Sequence, residues 1–347
     1  MKKIGILTFH NADNVGAVLQ AFALQKTLID KFGVDAEIVD YMCEKIESTK
    51  HIKKCFSLKD YIKVIPLSLY YFIKRFGFNE FRKSHLRLTN KYTNKNINSV
   101  SDRFDTFITG SDQVWNLDCT GDDYTYFLDF VKDVPKFSYA ASIGSYKFHG
   151  FEEERVAKLL STFSKISLRE NSGRAQLEKL GVSNICVHSD PVTLLSAKEW
   201  CEYVGKSIIK DKYVLVYLVV PDVNVTNAAK EYAKKHNCKI INNKKSIEFI
   251  LHNSPSYFLT WIKNAECVFT NSFHGTAFSM IFNKRLAVDI TMTNGSINNR
   301  VYDFLEKNES MKCVITKDNL FGAIPNCVTS INNLRKDALC YLEEICR

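Results

Sequence analysis

The chain alternates short apolar runs of β-type residues with amphipathic stretches along almost its whole length, and few folds can accommodate that order. Residues 4–9 predict a strand, and 15–31 predict a helix with Gly33 just beyond its end. The same order of strand and helix recurs in both halves of the sequence. Because a helical crossover between neighbouring strands makes them parallel, the pattern predicts an α/β fold of parallel sheets with helices on both faces.

The alternation breaks at Asp190-Pro191, and we predict a domain boundary there. Residues 1–190 are expected to form an N-terminal Rossmann-like domain and 191–329 a C-terminal one, both doubly wound and facing a cleft. Residues 330–347 are expected to form a helix, with packing against the first domain as one option. The other predicted strands are 36–41, 104–109, 137–140, 165–168, 185–188, 213–220, 239–241, 267–270 and 285–290. The other predicted helices are 152–163, 174–180, 225–236, 256–264, 275–282 and 298–307.

Length and composition agree with two such domains. The chain has 347 residues, of which 46% are hydrophobic, so each half can bury a core. Its 11 cysteines include no CxxC pair, which argues against a zinc or redox motif and favours a reducing cytoplasm. We expect neither a signal peptide nor a transmembrane helix.

The net charge of +9 is concentrated in one segment. Residues 50–88 contain ten Lys and Arg against two acids, a net +8, together with eight aromatic residues. Such an insertion could lie on an anionic membrane or hold an anionic polymer. Alternatively, its aromatic side chains face the core and its lysines face water. The rest of the chain is near neutral and has no recognition motif, so nucleic-acid binding is not expected.

The most informative loop joins the apolar run 267–269 to a helical pattern that begins at His274-Gly275. It places a histidine, the hydroxyls of Ser272 and Thr276, and several backbone N–H groups at a helix N-terminus. Anions bind at such positions in α/β proteins. In the alternative interpretation, Ser272 only caps the helix and His274 is a satisfied core histidine.

Two further polar loops follow predicted strands. In the segment 110–116, Gly110 allows a sharp turn and Asp112 then stands at the sheet edge as a base, an acceptor of sugar hydroxyls or an N-cap. The loop 10–17 lacks the glycines and the lysine of a nucleotide-binding motif. Its amides could face a ligand, or Asn14 could simply cap the helix that follows.

Two arginines are candidate anion ligands. Arg169 ends a short predicted strand, where it could grip a carboxylate or phosphate, or pair with Glu170 or another acid. Arg300 begins a later helix and could point into the same cleft. The sequence has no metal-ligand cluster of convincing spacing and no GxSxG motif. The set suits a phosphorylated anionic donor and a hydroxylated acceptor, with neither metal nor cofactor.

These motifs, in this order, resemble the polysaccharide pyruvyl transferase family over most of the chain. The region 50–88 matches weakly. The matching segments are 5–8 with 14–21, 110–116, 139–144, 167–170, 190–191 with 199–200, and 271–276.

The resemblance implies a two-domain fold like that of GT-B glycosyltransferases, and transfer of a pyruvyl group from phosphoenolpyruvate to sugar hydroxyls to form a ketal. His274 matches the family histidine, Asp112 the family acid, and Arg169 an arginine expected near the donor. Some members have an arginine two positions before the histidine, where this chain has Ser272. Arg300 is our predicted substitute. The predicted catalytic pair is His274 and Asp112, and the predicted substrate ligands are Arg169, Arg300, Ser272, Gly275, Thr276, Asn14, Ser111 and Gln113.

The expected partners are phosphoenolpyruvate and a saccharide acceptor of a bacterial cell-surface glycan or its lipid-linked precursor. A lipid-linked acceptor would give residues 50–88 a role at the inner face of the membrane, so the expected location is the cytoplasm with or without membrane contact. Two other functions stay open. One is a nucleotide-sugar-dependent glycosyltransferase of similar architecture. The other is a non-catalytic glycan-binding relative, which Ser272 supports best.

Overall fold

The computed structural model describes residues 1–48, 58–291 and 298–347, with the backbone alone for 58–68. The lysines at 50, 53 and 54 therefore lie outside the described residues. The described chain divides into two compact units. Unit 1 contains residues 1–48, 82–194 and 334–347, and unit 2 contains 58–81, 195–291 and 298–333.

The helices and strands alternate through the described chain. The helices are α1 Val15–Phe32, α2 Glu44–Ser48, α3 Leu58–His85, α4 Leu117–Thr120, α5 Phe151–Leu160, α6 Asn171–Lys179, α7 Ala197–Cys201, α8 Val223–His236, α9 Ile247–Leu251, α10 Pro255–Asn264, α11 Phe273–Ile281, α12 Asn299–Lys307 and α13 Val328–Cys346. The strands are β1 Lys3–Leu7, β2 Asp35–Tyr41, β3 Leu88–Tyr92, β4 Thr106–Thr109, β5 Lys136–Ser138, β6 Ile166–Leu168, β7 Ile185–Val187, β8 Tyr213–Tyr217, β9 Lys239–Asn242, β10 Cys267–Thr270 and β11 Arg285–Val288.

Unit 1 is built on a parallel sheet in the order β3-β2-β1-β4-β5. The parallel pair β6-β7 continues it through isolated parallel bridges, Phe137 with Lys165 and Ala141 with Leu168. From β1 the chain moves outward in one direction to β2 and β3, and then returns to β4 on the other side of β1. The strand order therefore reverses between β1 and β4, and this reversal is the topological switch point of the unit.

Unit 2 contains a smaller parallel sheet in the order β11-β10-β8-β9. Its strand order reverses between β8 and β10. The central strands β8 and β10 are continuous buried runs rather than alternating ones, which is typical of parallel strands covered on both faces. The loops after β8 and β10 diverge from this second switch point.

Helix α1 shows how local chemistry sets these elements. Asn14 caps its start by accepting from the backbone N–H groups of Gly16 and Ala17, at 2.8 and 3.3 Å. Gly33 ends it in the left-handed conformation, with a φ of 64°. Almost the whole first half of the helix is buried, so burial of apolar surface against the sheet stabilises it.

The predicted class, two halves of parallel α/β structure, is confirmed. The predicted strands and helices are present, with ends shifted by a few residues. The sequence patterns do not indicate β3, the long helix α3, or the short helices α2, α4, α7 and α9. The residues 58–81, which the sequence places in an insertion of the first domain, group with unit 2. No helix in the described part of the chain is long and apolar enough to cross a membrane.

Candidate active site

The loop after β4 carries Asp112 to the carboxyl edge of the unit 1 sheet, beside the switch point. Its backbone is unusual, because Gly110 has a φ of 105° and Asp112 itself a φ of 69°. A Cβ on Gly110 would lie 2.5 Å from the carbonyl oxygen of Tyr139, so only glycine fits there. The Asp112 carboxylate accepts from the backbone N–H of Gln113 at 2.9 Å and is partly exposed.

Parallel bridges bring Asp112 and Arg169 together. Asp112 bridges to Ala141, and Ala141 bridges to Leu168 at the end of β6. The next residue, Arg169, donates its backbone N–H to the carbonyl oxygen of Ala141 at 2.9 Å. Neighbouring strand ends therefore line up the acid and the arginine, which lie 57 positions apart in the sequence.

The Arg169 guanidinium is surrounded by carboxylates. It donates to Asp190 at 2.8 Å, lies 3.5 Å from Asp112 and lies 3.8 Å from Glu170. Its side chain is 2% exposed, and those of Asp190 and Glu170 are buried as well. The sequence left two roles open for Arg169, a ligand of the donor or an ion pair with an acid. The structure shows the ion pairs, and the role as a ligand stays a prediction.

These acids outweigh the arginine. Burial lowers the pKa of the Arg169 guanidinium, but the carboxylates of Asp190, Asp112 and Glu170 raise it, and the net shift is upward. With all groups ionised, one positive and three negative charges leave the cluster at −2. An anionic donor would therefore meet a repulsive field beside Arg169.

Glu170 also holds the neighbouring loop. One carboxylate oxygen accepts from the hydroxyl of Ser142 and from the backbone N–H groups of Ile143 and Gly144, at 3.0 to 3.2 Å. These hydrogen bonds satisfy one oxygen of the buried carboxylate, and the other oxygen is the one that lies 3.8 Å from Arg169. They fix the loop after β5 against the end of β6.

Two of the predicted ligands in the loop after β4 are tied into the protein. Ser111 is fully buried, and its hydroxyl donates to the carbonyl oxygen of Ala140 at 2.7 Å. Its backbone N–H donates to Gln20 at 3.1 Å. Gln113 accepts from the side chain of Asn116 at 2.9 Å. The roles of Ser111 and Gln113 as substrate ligands stay predictions.

The loop after β1 lies on the other side of the same switch point. Asn14 serves as the helix cap that the sequence allowed for, and its role as a ligand stays a prediction. Nearby, Arg82 is ion-paired with Asp13. His10 is buried, with one ring nitrogen 2.9 Å from Asp40 and the other 3.2 Å from the carbonyl oxygen of Thr8.

In unit 2, the loop after β10 is held by hydroxyl groups. The hydroxyl of Thr270 donates to the carbonyl oxygen of Tyr217 at 2.6 Å and accepts from the backbone N–H of Ser272 at 3.0 Å. Ser272 caps α11 by accepting from the backbone N–H of Gly275 at 3.3 Å. The hydroxyl of Thr276 donates to the carbonyl oxygen of Ser272 at 3.0 Å. The capping role of Ser272 is thus present, and ligand roles for Ser272 and Thr276 stay predictions.

Gly275 lets α11 approach the sheet closely. A Cβ at this position would lie 2.5 Å from the hydroxyl oxygen of Thr270 and 3.3 Å from the ring of Tyr217. A real Cβ would force the helix start away from β8 and β10. Close backbone approach, rather than a special φ, requires the glycine here.

His274 occupies the first turn of α11 and is partly exposed, whereas every other residue from 270 to 280 is buried. Its ring lies edge-on to Phe273, with centroids 5.2 Å apart. The sequence left a core histidine and a functional histidine open, and the functional role of His274 stays a prediction. The imidazole lies at a helix N-terminus beside a switch point, and its Nε2 atom is buried.

Arg300 lies in the first turn of α12 and is partly exposed. The same helix packs on α11 through Phe304 and Phe273, whose ring centroids are 5.4 Å apart. Because residues four apart share a helix face, Arg300 is on the side of α12 that faces α11. Its predicted role as an anion ligand in unit 2 is compatible with this placement.

The sequence pattern of the polysaccharide pyruvyl transferase family matches residues 14–288, which is most of the chain. The match includes the loops of Asp112, Arg169 and His274, but not Arg300 or the part of the loop after β1 that precedes Asn14. The chain belongs to this family. Among curated proteins, none matches the chain.

Solved structures similar to this pyruvyl transferase family member include sugar-nucleotide enzymes. The S. aureus MnaA–UDP co-structure has a TM-score of 0.48 and 14% identity, covering 98% of this chain and 88% of that one. UDP-GlcNAc 2-epimerase from Methanocaldococcus jannaschii in complex with UDP-GlcNAc and UDP has a TM-score of 0.47 and 14% identity, covering 98% and 100%. An alpha-glucosyltransferase in complex with UDP-glucose and DNA has a TM-score of 0.48 and 8% identity, covering 99% and 92%.

In this family member, the sequence pattern alone does not indicate two polar residues that shape the second switch point. Asn271 accepts from the backbone N–H of Val219 at 2.9 Å and donates to the carbonyl oxygen of Val220 at 3.0 Å, so it joins the loops after β10 and β8. Asp222 caps α8 at 3.0 Å. Burial first, and then nearby Asp289, raise the pKa of Asp222 above its usual range. An asparagine in a strand-end loop was the signal available in the sequence.

Proposed function

We propose that this protein transfers a pyruvyl group from phosphoenolpyruvate to two hydroxyls of a saccharide, forming a ketal and releasing phosphate. Membership in the polysaccharide pyruvyl transferase family supports the reaction class. The observation that carries the proposal is topological. Asp112 follows β4 and His274 follows β10, so each predicted catalytic residue stands at the switch point of its own sheet. Ligands bind at such points in open α/β sheets.

The reaction requires specific proton transfers. Protonation of the methylene carbon of phosphoenolpyruvate makes the adjacent carbon electrophilic, and a sugar hydroxyl adds there as it loses its proton. The bond between that carbon and the phosphate oxygen breaks, and a second hydroxyl then closes the ketal. The balance is one phosphoenolpyruvate and one diol in, and one ketal and one phosphate out. An acid, a base and a site for an anion are sufficient.

We assign the anionic donor to the α11 end of unit 2. His274 there would contact phosphate and supply or accept a proton, and Arg300 would neutralise the donor. Asp112 would accept the proton of the sugar hydroxyl. Arg169 keeps its predicted contact with the donor only as a proposal, since its three acidic neighbours favour a role in holding Asp112. No metal or cofactor enters the proposed reaction.

We further propose that the acceptor is a saccharide of a bacterial cell-surface glycan, carried on a lipid at the inner face of the membrane. The basic, aromatic segment around α3 supports this part of the proposal. Which hydroxyl pair reacts depends on loops at the carboxyl edges of the sheets.

A thermal-shift titration tests the donor. Phosphoenolpyruvate should stabilise the protein saturably, and His274→Ala should weaken this effect, because a ligand stabilises the state that binds it. Phosphate, pyruvate, UDP-glucose and GDP-mannose serve as comparisons. Stabilisation by a nucleotide sugar alone would instead favour glycosyl transfer.

Turnover tests the catalytic pair. With a saccharide panel as acceptors, His274→Ala and Asp112→Ala should each lower phosphate release by at least about a hundredfold, which is typical of lost acid–base catalysis. His149→Ala, which removes an exposed histidine of unit 1, is the matched control. Near wild-type rates in a folded His274→Ala or Asp112→Ala variant would exclude that residue from the mechanism.

A further inference from the structure

Helix α3 has an inner face that is packed in unit 2. Phe78 and Phe81 are buried, and Gly77 lies so close to α10 that an added Cβ would be 2.8 Å from the Cβ of Ser254. Phe78 and Phe81 are three residues apart, and Gly77 and Phe81 are four apart, which are the spacings of residues on one side of a helix. This face therefore accounts for the folding role of α3.

The same helix carries a second apolar face that the protein leaves in solvent. Leu69, Phe72 and Phe76 recur at spacings of three and four, and Phe72 and Phe76 are 68% and 61% exposed. Tyr71 is exposed as well. Single exposed apolar residues are ordinary, but a stripe of large ones on one helix marks a contact surface.

Helix α9 extends this apolar surface. A groove of about 720 Å³ lies between the two helices, lined on the α3 side by Leu69, Tyr70 and Ile73. Ile247 and Leu251 line the α9 side, and Ile247 is 60% exposed. We call Leu69, Phe72, Phe76, Ile247 and Leu251 together the α3–α9 face.

Basic side chains border the α3–α9 face. Lys74 and Lys244 line the groove, Arg75 follows on α3, and Lys245 follows Lys244. The nearby acid Glu248 is ion-paired with Lys239 at 2.6 Å, so it does not offset these charges. The surface combines large apolar and aromatic side chains with positive charge, which suits an anionic, apolar partner.

The groove also adjoins the edge of the sheet that carries the switch point. Asn243, another groove residue, accepts from the backbone N–H of Leu218 at 3.0 Å and donates to its carbonyl oxygen at 3.0 Å. Leu218 begins the loop after β8, next to β10 and its histidine loop. A partner bound to the α3–α9 face would therefore lie beside the carboxyl edge of the unit 2 sheet.

We propose that the α3–α9 face docks on an anionic lipid bilayer, with its apolar side chains in the acyl boundary and its lysines at the headgroups. A second copy of the chain fits less well, since a two-fold contact through this face would bring like charges together. The proposal does not depend on pyruvyl transfer, because it concerns binding alone.

Vesicle co-sedimentation of the full chain tests the proposal. The protein should bind vesicles of phosphatidylcholine mixed with phosphatidylglycerol. It should bind vesicles of phosphatidylcholine alone much more weakly. Lys74→Glu with Lys244→Glu should weaken binding by at least about tenfold, since each basic residue near such a surface contributes about fivefold. Phe72→Ser with Ile247→Ser should weaken it at all salt concentrations, whereas added salt should weaken the wild type gradually.

Matched controls lie on unit 1. Phe151→Ser with Lys179→Glu changes an exposed aromatic residue and an exposed lysine away from the face, and it should bind vesicles like the wild type. Circular dichroism would establish that all variants are folded. The proposal is overturned if the wild type binds no vesicles, or if the face variants bind vesicles as well as the control does. Absence of vesicle binding, together with self-association that the face variants abolish, would instead assign the face to a contact between copies of the chain.

Discussion

The two switch points of the molecule are built from different chemistry. In unit 1, the loops after β4, β5, β6 and β7 converge on a buried guanidinium with three carboxylates. In unit 2, the loops after β8 and β10 are joined by hydroxyls and an asparagine amide, and the histidine of α11 is partly exposed. One site is therefore dominated by internal charge and the other by neutral hydrogen bonds.

This difference separates positioning from binding. The positive charge of Arg169 is already neutralised by carboxylates inside unit 1, so the simplest role for that residue is to hold Asp112 in place. The helix N-terminus at His274 carries a partial positive charge and no acid within its first turn, which suits an anion better. The proposed donor position at α11 follows from this contrast.

The largest effect should come from breaking the charged cluster. Arg169→Ala leaves the buried carboxylates of Asp190 and Glu170 without their cation, and the free energy of unfolding should fall by about 3–5 kcal/mol. Urea unfolding at neutral pH measures this loss in the free energy of unfolding. Arg174→Ala removes an exposed pair with Glu178 and should cost less than about 1 kcal/mol. Equal losses in the two variants would mean that the cluster contributes no more than a surface ion pair.

A smaller effect is expected from crowding the neutral site. Gly275→Ala puts a methyl group 2.5 Å from the Thr270 hydroxyl oxygen, and the strain should cost about 1–3 kcal/mol of stability and weaken phosphoenolpyruvate binding. Gly173→Ala in α6 meets its nearest atoms only at 3.4 Å, so it should be neutral or slightly stabilising. Thermal unfolding of both variants checks the pair, and a Gly275→Ala protein as stable as Gly173→Ala would contradict the packing argument.

The smallest effect should come from Asp222. Its pKa is raised in the folded protein, so its ionised form costs stability above that pKa, and the cost disappears as the pH falls below the unfolded value. Asp222→Asn keeps a capping side chain for α8 and should stabilise the protein at neutral pH by under about 0.5 kcal/mol. Near about pH 3, where Asp is protonated in both states, the difference from the wild type should vanish. A difference independent of pH would point to the cap rather than the charge.

Much of the fold follows from the sequence because the strands of parallel sheets are apolar runs between helical patterns. The edge strand β3 was missed because Asn90 and Lys91 interrupt its apolar residues. The basic and aromatic composition around α3 was visible. That Phe78 is buried while Phe72 and Phe76 are exposed depends on which face of α3 packs inside unit 2, and a sequence does not specify that.

The candidate site was predictable only in part. Polar residues after predicted strands drew attention to Asp112, Arg169 and His274. The Asp190 partner of Arg169 lies 21 positions away and is adjacent only because β6 pairs with β7. The switch points likewise depend on strand order, which is set by long-range pairing and not by local pattern.

Helices α3 and α13 each contribute residues to both units, and the chain passes from one unit to the other four times. A fragment ending at Leu194 would keep most of unit 1 but lose Tyr341, whose hydroxyl donates to the carbonyl oxygen of Ser138 at 2.8 Å. No single cut in the polypeptide releases both units whole. In gene shuffling or split-protein designs, the exchangeable module is therefore the entire chain rather than either half.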